Sequence, residues 1–224
     1  MKFIKKRLLI FSFFLFLFSS AIAQQYKPFW FEIAAFKKAD SIHFPPQHAI
    51  LFTGSSSFRK CTDVSNYFPG YTIINRGFGG STIPDVTIYV NDIIYPYHPK
   101  QVVIYCGDND LASSDTITAK IVEKRFEELF KKIRKKLPLT SILFVSIKPS
   151  PSRRNLMPQI EDVNKMIKMY LAKNKYTAFA DVYHPMLDKS GQPKPEIFLS
   201  DSLHMNSKGY DIWQKVLKPY LIKN

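Results

Sequence analysis

The chain has 224 residues, 46% of them hydrophobic and 15% aromatic, which is enough apolar material for one well-filled core and points to a single domain. Its formal net charge of +14 does not indicate a nucleic-acid partner, because basic residues are not interleaved with aromatics; much of the excess sits in one run, Lys131-Lys132-Ile133-Arg134-Lys135-Lys136, where cations suit a helix end. Only Cys61 and Cys106 are available for disulfide bonding, so a disulfide framework is excluded as the main support, although one bridge fits an oxidising compartment.

The first seven residues carry Lys2, Lys5, Lys6 and Arg7, an apolar run extends from Leu8 to Phe18, and small residues close it at Ser19, Ser20, Ala21 and Ala23. That layout predicts a signal peptide over residues 1–23, cleaved after Ala23, and a secreted or periplasmic product. The apolar run is short for the ~30 Å of a bilayer core. No later segment is long and apolar enough to span, so no stable membrane span is expected once the leader is gone. Removing the leader's four positive charges from +14 leaves +10, and an anionic cell-surface polymer is the more reasonable partner for that charge.

Residues 24–48 are amphipathic and aromatic and read as an N-terminal arm or helix on a domain spanning 49–224. Within that domain, short apolar runs rich in β-branched residues recur at Ala49 to Thr53, Tyr71 to Asn75, Gln101 to Cys106, Ser141 to Ile147 and Thr177 to Asp181. Between them, Val122, Phe126, Leu129, Phe130, Ile133 and Leu137 recur at helical steps and form one stripe, closed by Pro138. Pro158 opens a helix carrying Ile160, Val163, Ile167 and Tyr170, and a last helix begins after Asn206 and Ser207 with Trp213, Val216 and Leu217 available to pack. Alternating strands and helices predict an α/β fold, a flavodoxin-like three-layer α/β/α sandwich with a five-stranded parallel sheet. Such sheets place function at the carboxyl ends of their strands.

Polar turns follow three of these strands. Gly54-Ser55-Ser56-Ser57 can present a hydroxyl at the mouth of the sheet, or it can simply cap a helix. Asn75-Arg76-Gly77-Phe78-Gly79-Gly80-Ser81-Thr82 puts three glycines within four residues, as a sharp turn or a close backbone approach requires. In Gly107-Asp108-Asn109-Asp110, Asn109 can aim its amide at a developing oxyanion or close an Asx turn. A serine nucleophile needs a base, and that base needs a carboxylate. Asp-x-x-His occurs three times, at Asp40 to His43, Asp181 to His184 and Asp201 to His204, so the motif alone selects none of them.

Taken in order, these segments resemble the four sequence blocks of the SGNH (GDSL-like) hydrolase family. Gly54-Ser55-Ser56-Ser57 resembles the Gly-Asp-Ser-Leu block and Gly79-Gly80-Ser81-Thr82 the glycine block. Gly107-Asp108-Asn109-Asp110 is similar to the Gly-x-Asn-Asp block, and Asp201-Ser202-Leu203-His204, with Asn206 and Gly209, to the terminal Asp-x-x-His block. The resemblance runs from about Ile50 to Leu217, and Ser146-Ile147-Lys148-Pro149-Ser150 to Arg153 is similar to a bacterial subgroup of secreted esterases. It implies Ser56 as nucleophile, His204 as base, Asp201 as its orienting partner, and the Ser56 and Gly80 backbone N–H groups with the Asn109 amide as oxyanion donors. Gly79 competes with Gly80 by alignment, and Ser55 and Ser57 depart from the usual Asp and Leu. The implied activity is hydrolysis of short acyl esters, acetyl above all, on carbohydrate or cell-envelope substrates, with no cofactor and no metal. A lipase or lysophospholipase for longer chains, and a non-catalytic glycan-binding domain, are the alternatives.

Overall fold

Five short runs become strands: β1 (Ile50–Gly54), β3 (Gln101–Tyr105) and β4 (Ser141–Val145) are apolar and buried on two faces at once, and β2 (Ile73–Gly77) and β5 (Thr177–Ala180) flank them half-buried. All pair in parallel in the order β2-β1-β3-β4-β5. This computed structural model describes residues 28–223, so the leader read in residues 1–23 lies outside the described residues. From Phe31 onward the chain forms one compact unit. Among the described residues no helix is long and apolar enough to cross a membrane.

Seven helices matter for the site: α1 (Trp30–Ile42), α2 (Ser56–Arg59), α3 (Ile83–Ile88), α4 (Asp108–Ala112), α5 (Ala119–Lys136), α6 (Met157–Ala172) and α7 (Ser207–Leu217). The α5 stripe of Val122, Phe126, Leu129, Phe130 and Ile133 is buried, and Phe126 meets Phe144 of β4 edge-on at 4.9 Å. Tyr170 of α6 packs against Phe126 and Phe130. On the opposite face Ile50, Phe52, Val103, Tyr105, Leu143 and Val145 pack with Phe58, Trp213 and Leu217 of α2 and α7, and the Trp213 and Tyr105 rings lie 4.8 Å apart. Helices therefore cover both faces of the sheet. The basic run at the end of α5 has a local use, since the Arg134 guanidinium donates to the carbonyls of Leu137, Pro138 and Thr140. Cys61 and Cys106 are both buried free thiols, and burial pushes Cys61 up to about 12.

The strand boundaries differ from the sequence expectation mainly at β2, which starts two residues later than Tyr71 and runs through Asn75 and Arg76. Those polar residues look like a turn in the sequence. In the fold, the Asn75 amide donates to Phe58 O and Cys61 O. Arg76 is held by Asp40 and by the Tyr97 hydroxyl, so an edge strand can carry both.

The end of β1 sets the site. Gly54 has φ +126, and a Cβ there would lie 1.9 Å from the Tyr105 carbonyl oxygen, so β1 and β3 can approach closely only at a residue without a side chain. The approach lets Ser55 N donate to Tyr105 O at 2.9 Å. Gly54→Ala is expected to cost about 3 kcal/mol through this clash and backbone strain. A thermal melt should show a midpoint lower by roughly 6–12 °C for a chain of this size.

Candidate active site

Chain order reverses across β1 and β3, since β2 lies on one side of β1 and β3, β4 and β5 on the other. The carboxyl ends of those two strands form a crevice at the switch point. Three turns meet there. After β1, Ser55 caps α2 with its backbone only: its hydroxyl makes no cap bond and, buried at 1% exposure, has no hydrogen-bond partner among the described residues. The turn is braced instead by Phe58 N and Arg59 N donating to Ser55 O, which is how it forms without the Asp usual before Ser56. Tyr210 of α7 adds a bond from its hydroxyl to Ser57 O, 2.8 Å.

The Ser56 hydroxyl is not spent on capping. Its Oγ lies 3.0 Å from Nε2 of His204, whose Nδ1 lies 2.6 Å from Asp201 Oδ2. The carboxylate accepts a hydrogen bond from Nδ1–H, which leaves the Nε2 lone pair facing the hydroxyl. Asp201 is itself fixed, because its other oxygen accepts from the backbone N–H of His204 and Leu203. The bond from the His204 ring, with these two amides, holds the carboxyl well below the usual carboxylate range, against the opposing effect of burial. Asn206 anchors the loop by capping α7 at Gly209 N and donating to Glu196 O and Phe198 O.

The other two Asp-x-x-His pairs do not reach Ser56. The Asp40 carboxylate is engaged by Arg76 and the Tyr97 hydroxyl. His184 repeats the local geometry, with Nδ1 2.6 Å from Asp181 Oδ2. Its side chain is 75% exposed, and it lines a separate cavity of about 270 Å³ with Lys165, Lys168 and Phe179.

Among the described residues the backbone N–H groups of Ser56 and Gly80 have no hydrogen-bond partner, whereas Gly79 N donates to both carboxylate oxygens of Glu32 at 3.3 and 3.2 Å. That difference favours Gly80 over Gly79 as a free donor, at a φ of +75. Asn109 forms no Asx turn: its Nδ2 donates to Ser81 O at 3.0 Å and its Oδ1 accepts from Arg153 Nη2 at 2.8 Å. The guanidinium fixes which end of the amide is oxygen and leaves the second Nδ2 proton available.

Charge is buried directly behind this amide. Asp108, 5% exposed, lies 3.1 Å from Arg153 and 3.7 Å from Lys148 and accepts from the Tyr105 hydroxyl. Burial, partly offset by Asp108, pulls the Lys148 ammonium below its ordinary value. On the far side, Asp110 accepts from Ile83 N and Arg125, tying α4 to α3 and α5. Sequence reasoning named neither Arg153 nor Lys148 for a role, although both lie in the segment that resembles the bacterial subgroup. Glu32 gave no signal at all. The assembled groups can activate a hydroxyl, stabilise an oxyanion and return a proton.

Residues 58–212 match the GDSL-like lipase/acylhydrolase family, a span that begins two residues past Ser56 and includes the glycine, Asn109 and His204 turns. No curated protein matches the sequence. Among solved structures, the fold is similar to that of a presumed platelet activating factor from Streptococcus pneumonia, with 21% identity, a TM-score of 0.76, and 94% of this chain and 99% of that one covered. It is also similar to a GDSL-like lipase from Bacteroides thetaiotaomicron, at 20% identity, a TM-score of 0.72, and 84% and 96% coverage. A catalytic mutant of an acetylxylan esterase from Geobacillus stearothermophilus is similar at 13% identity, a TM-score of 0.62, and 77% and 93% coverage.

Arg153 orients the Asn109 amide, so Arg153→Ala should lower ester turnover roughly tenfold, a fraction of what loss of an oxyanion donor costs. It should also lower thermal stability, because the more distant Lys148 is then the one cation left facing the buried Asp108. Steady-state kinetics and a thermal melt on the one variant check both effects.

Proposed function

The chain belongs to the GDSL-like lipase/acylhydrolase family and is a carboxylic ester hydrolase, and on that premise we propose that it cleaves short acyl esters through an acyl-Ser56 intermediate. The observation that carries this reading is the continuous path from Ser56 Oγ through the His204 ring to Asp201, 3.0 and 2.6 Å. Ser56 Oγ attacks the acyl carbonyl as His204 Nε2 takes its proton. The carbonyl oxygen becomes an oxyanion served by the Ser56 and Gly80 N–H groups and the remaining Asn109 Nδ2 proton. His204 then gives its proton to the leaving alcohol as the adduct collapses to acyl-Ser56. A water deprotonated by the same imidazole releases the acid and restores the serine.

The preferred substrate is an acetyl or similarly short ester on a carbohydrate or cell-envelope polymer outside the cytoplasm. The leader in residues 1–23 supports export, and the likeness to an acetylxylan esterase supports the acyl group as analogy. Short connections support it as well: residue 55 joins β1 to α2, residues 78–82 join β2 to α3, and residues 106–107 join β3 to α4, leaving these turns little length for a lid over a long chain.

Ser56→Ala should abolish hydrolysis of nitrophenyl acetate and labelling by a fluorophosphonate, and His204→Ala should lose at least about a thousandfold. His184→Ala should stay within about twofold of wild type; a large loss confined to His184→Ala would move the base there. Equal turnover of acetyl and long-chain esters would point to a lipase instead. Because the Asp201 carboxyl is held well below the usual carboxylate range, it stays ionised well into acid, and the acid limb of kcat/KM should fall with the slope of one that a single base gives. A profile between about pH 4 and 9 checks this, and a steeper limb would show that the carboxylate titrates with it.

A further inference from the structure

The glycine turn faces a positional problem. Gly79 and Gly80 are consecutive residues without side chains, Gly80 has φ +75, and a Cβ on Gly80 would meet nothing within 4 Å, so local sterics leave the direction of the Gly80 N–H open. Within the turn the Ser81 hydroxyl donates to Phe78 O, and a second hold comes from outside it. Glu32, on α1 and outside the four sequence blocks, is bonded there: both carboxylate oxygens accept from Gly79 N, and Oε2 also lies 2.8 Å from Arg59 Nε. Arg59 is the last residue of α2, three residues after Ser56. One carboxylate therefore ties the turn that carries the Gly80 donor to the short helix that carries the Ser56 donor. The third donor joins the same frame through the bond from Asn109 Nδ2 to Ser81 O.

We propose that Glu32 is a positioning residue for ester hydrolysis, holding the Gly79 N–H, one peptide before the Gly80 N–H, so that the Gly80 and Ser56 N–H groups converge on one point. This rests on the proposed acyl-Ser56 chemistry. The charge arrangement agrees with it. An unpaired carboxylate one peptide away from a developing oxyanion would oppose the reaction, and the Arg59 guanidinium cancels it at hydrogen-bond distance. The contact does more than dock the helix, because docking has its own anchors: Ile33 is fully buried, and Asp40, farther along α1, binds Arg76 and the Tyr97 hydroxyl without touching any donor turn.

The test compares Glu32→Ala, Glu32→Gln and Asp40→Asn in the full chain with nitrophenyl acetate, with Ser56→Ala as the blank. Glu32→Ala should lower kcat about tenfold or more with KM within twofold, as slight misplacement of a reacting frame does. Glu32→Gln keeps an acceptor for Gly79 N–H and should recover most of the loss. Asp40→Asn should lower the melting temperature without that fall in kcat. Unchanged kcat in Glu32→Ala overturns the proposal, as does a Gln variant as poor as Ala, or an Asp40→Asn variant that loses as much. Backbone ¹⁵N relaxation and amide exchange give a readout without activity: Gly79 should lose protection and Gly80 should lose order in Glu32→Ala relative to wild type. Undisturbed glycines there overturn the positioning role even if Ser56→Ala proves active and the esterase chemistry fails on its own account.

Discussion

The close approach of β1 to β3 at Gly54 is the constraint on which the rest of the site depends. Because no Cβ stands between Gly54 and the Tyr105 carbonyl, Ser55 N can bond across to β3 and the chain turns at once into α2. That turn leaves the Ser56 N–H without a partner among the described residues and its hydroxyl 3.0 Å from His204 Nε2. Gly77 repeats the economy on the other side: a Cβ there would come within 2.7 Å of Phe58 Cβ, so β2 can lie directly against α2. The three candidate donors follow three different strands, and two of the approaches that bring those strand ends together, at Gly54 and Gly77, leave no room for a side chain.

Charge does the remaining fastening, and it does so in pairs. Arg59 holds Glu32, Arg76 holds Asp40, Arg125 holds Asp110, and Arg153 and Lys148 face Asp108. Burying such groups is expensive, and pairs of this kind are weak evidence for stability in themselves. Their placement suggests another use. Each guanidinium offers several donors in a rigid plane, and Arg59 and Arg153 bond a group that in turn fixes a donor turn. The chain's formal +14 therefore has little to do with the site. There each cation faces a carboxylate, four of the positive charges belong to residues 1–7 outside the described residues, and others lie on exposed lysines such as Lys135 and Lys136 at the end of α5.

What the sequence revealed follows from how local each feature is. The α5 stripe was legible because helical periodicity is written within a few turns, and the fully buried β1 and β3 were legible because both faces are apolar. β2 runs two residues past the stretch ending at Asn75 because Arg76 looks like a turn residue until Asp40 and Tyr97 are known to satisfy it. Ser56, Asn109 and His204 were legible through family resemblance, since turns of this composition form for ordinary structural reasons as well. Glu32 was not legible: its partners lie 27 and 47 residues away, and a glutamate in an amphipathic helix has no local mark that distinguishes it from a solvated one.

The repeated Asp-x-x-His pair shows the same limit most sharply. At Asp181 and at Asp201 the local structure is the same: one carboxylate oxygen accepts from the N–H groups two and three residues on, and the other sits 2.6 Å from the imidazole Nδ1. The Asp40 and His43 pair at the end of α1 does not do this, but in these two loops four residues fix a tautomer and a ring orientation. They are not sufficient to make a base, because what the free Nε2 faces is decided by the sheet. His184 follows β5, an edge strand three places from β1 in the sheet order, and opens to solvent. His204 lies in the loop before α7, whose Tyr210 and Trp213 pack on α2 beside Ser56. The same helix thus steadies both the nucleophile turn and the base, and a dyad that the chain forms twice faces the serine hydroxyl only once.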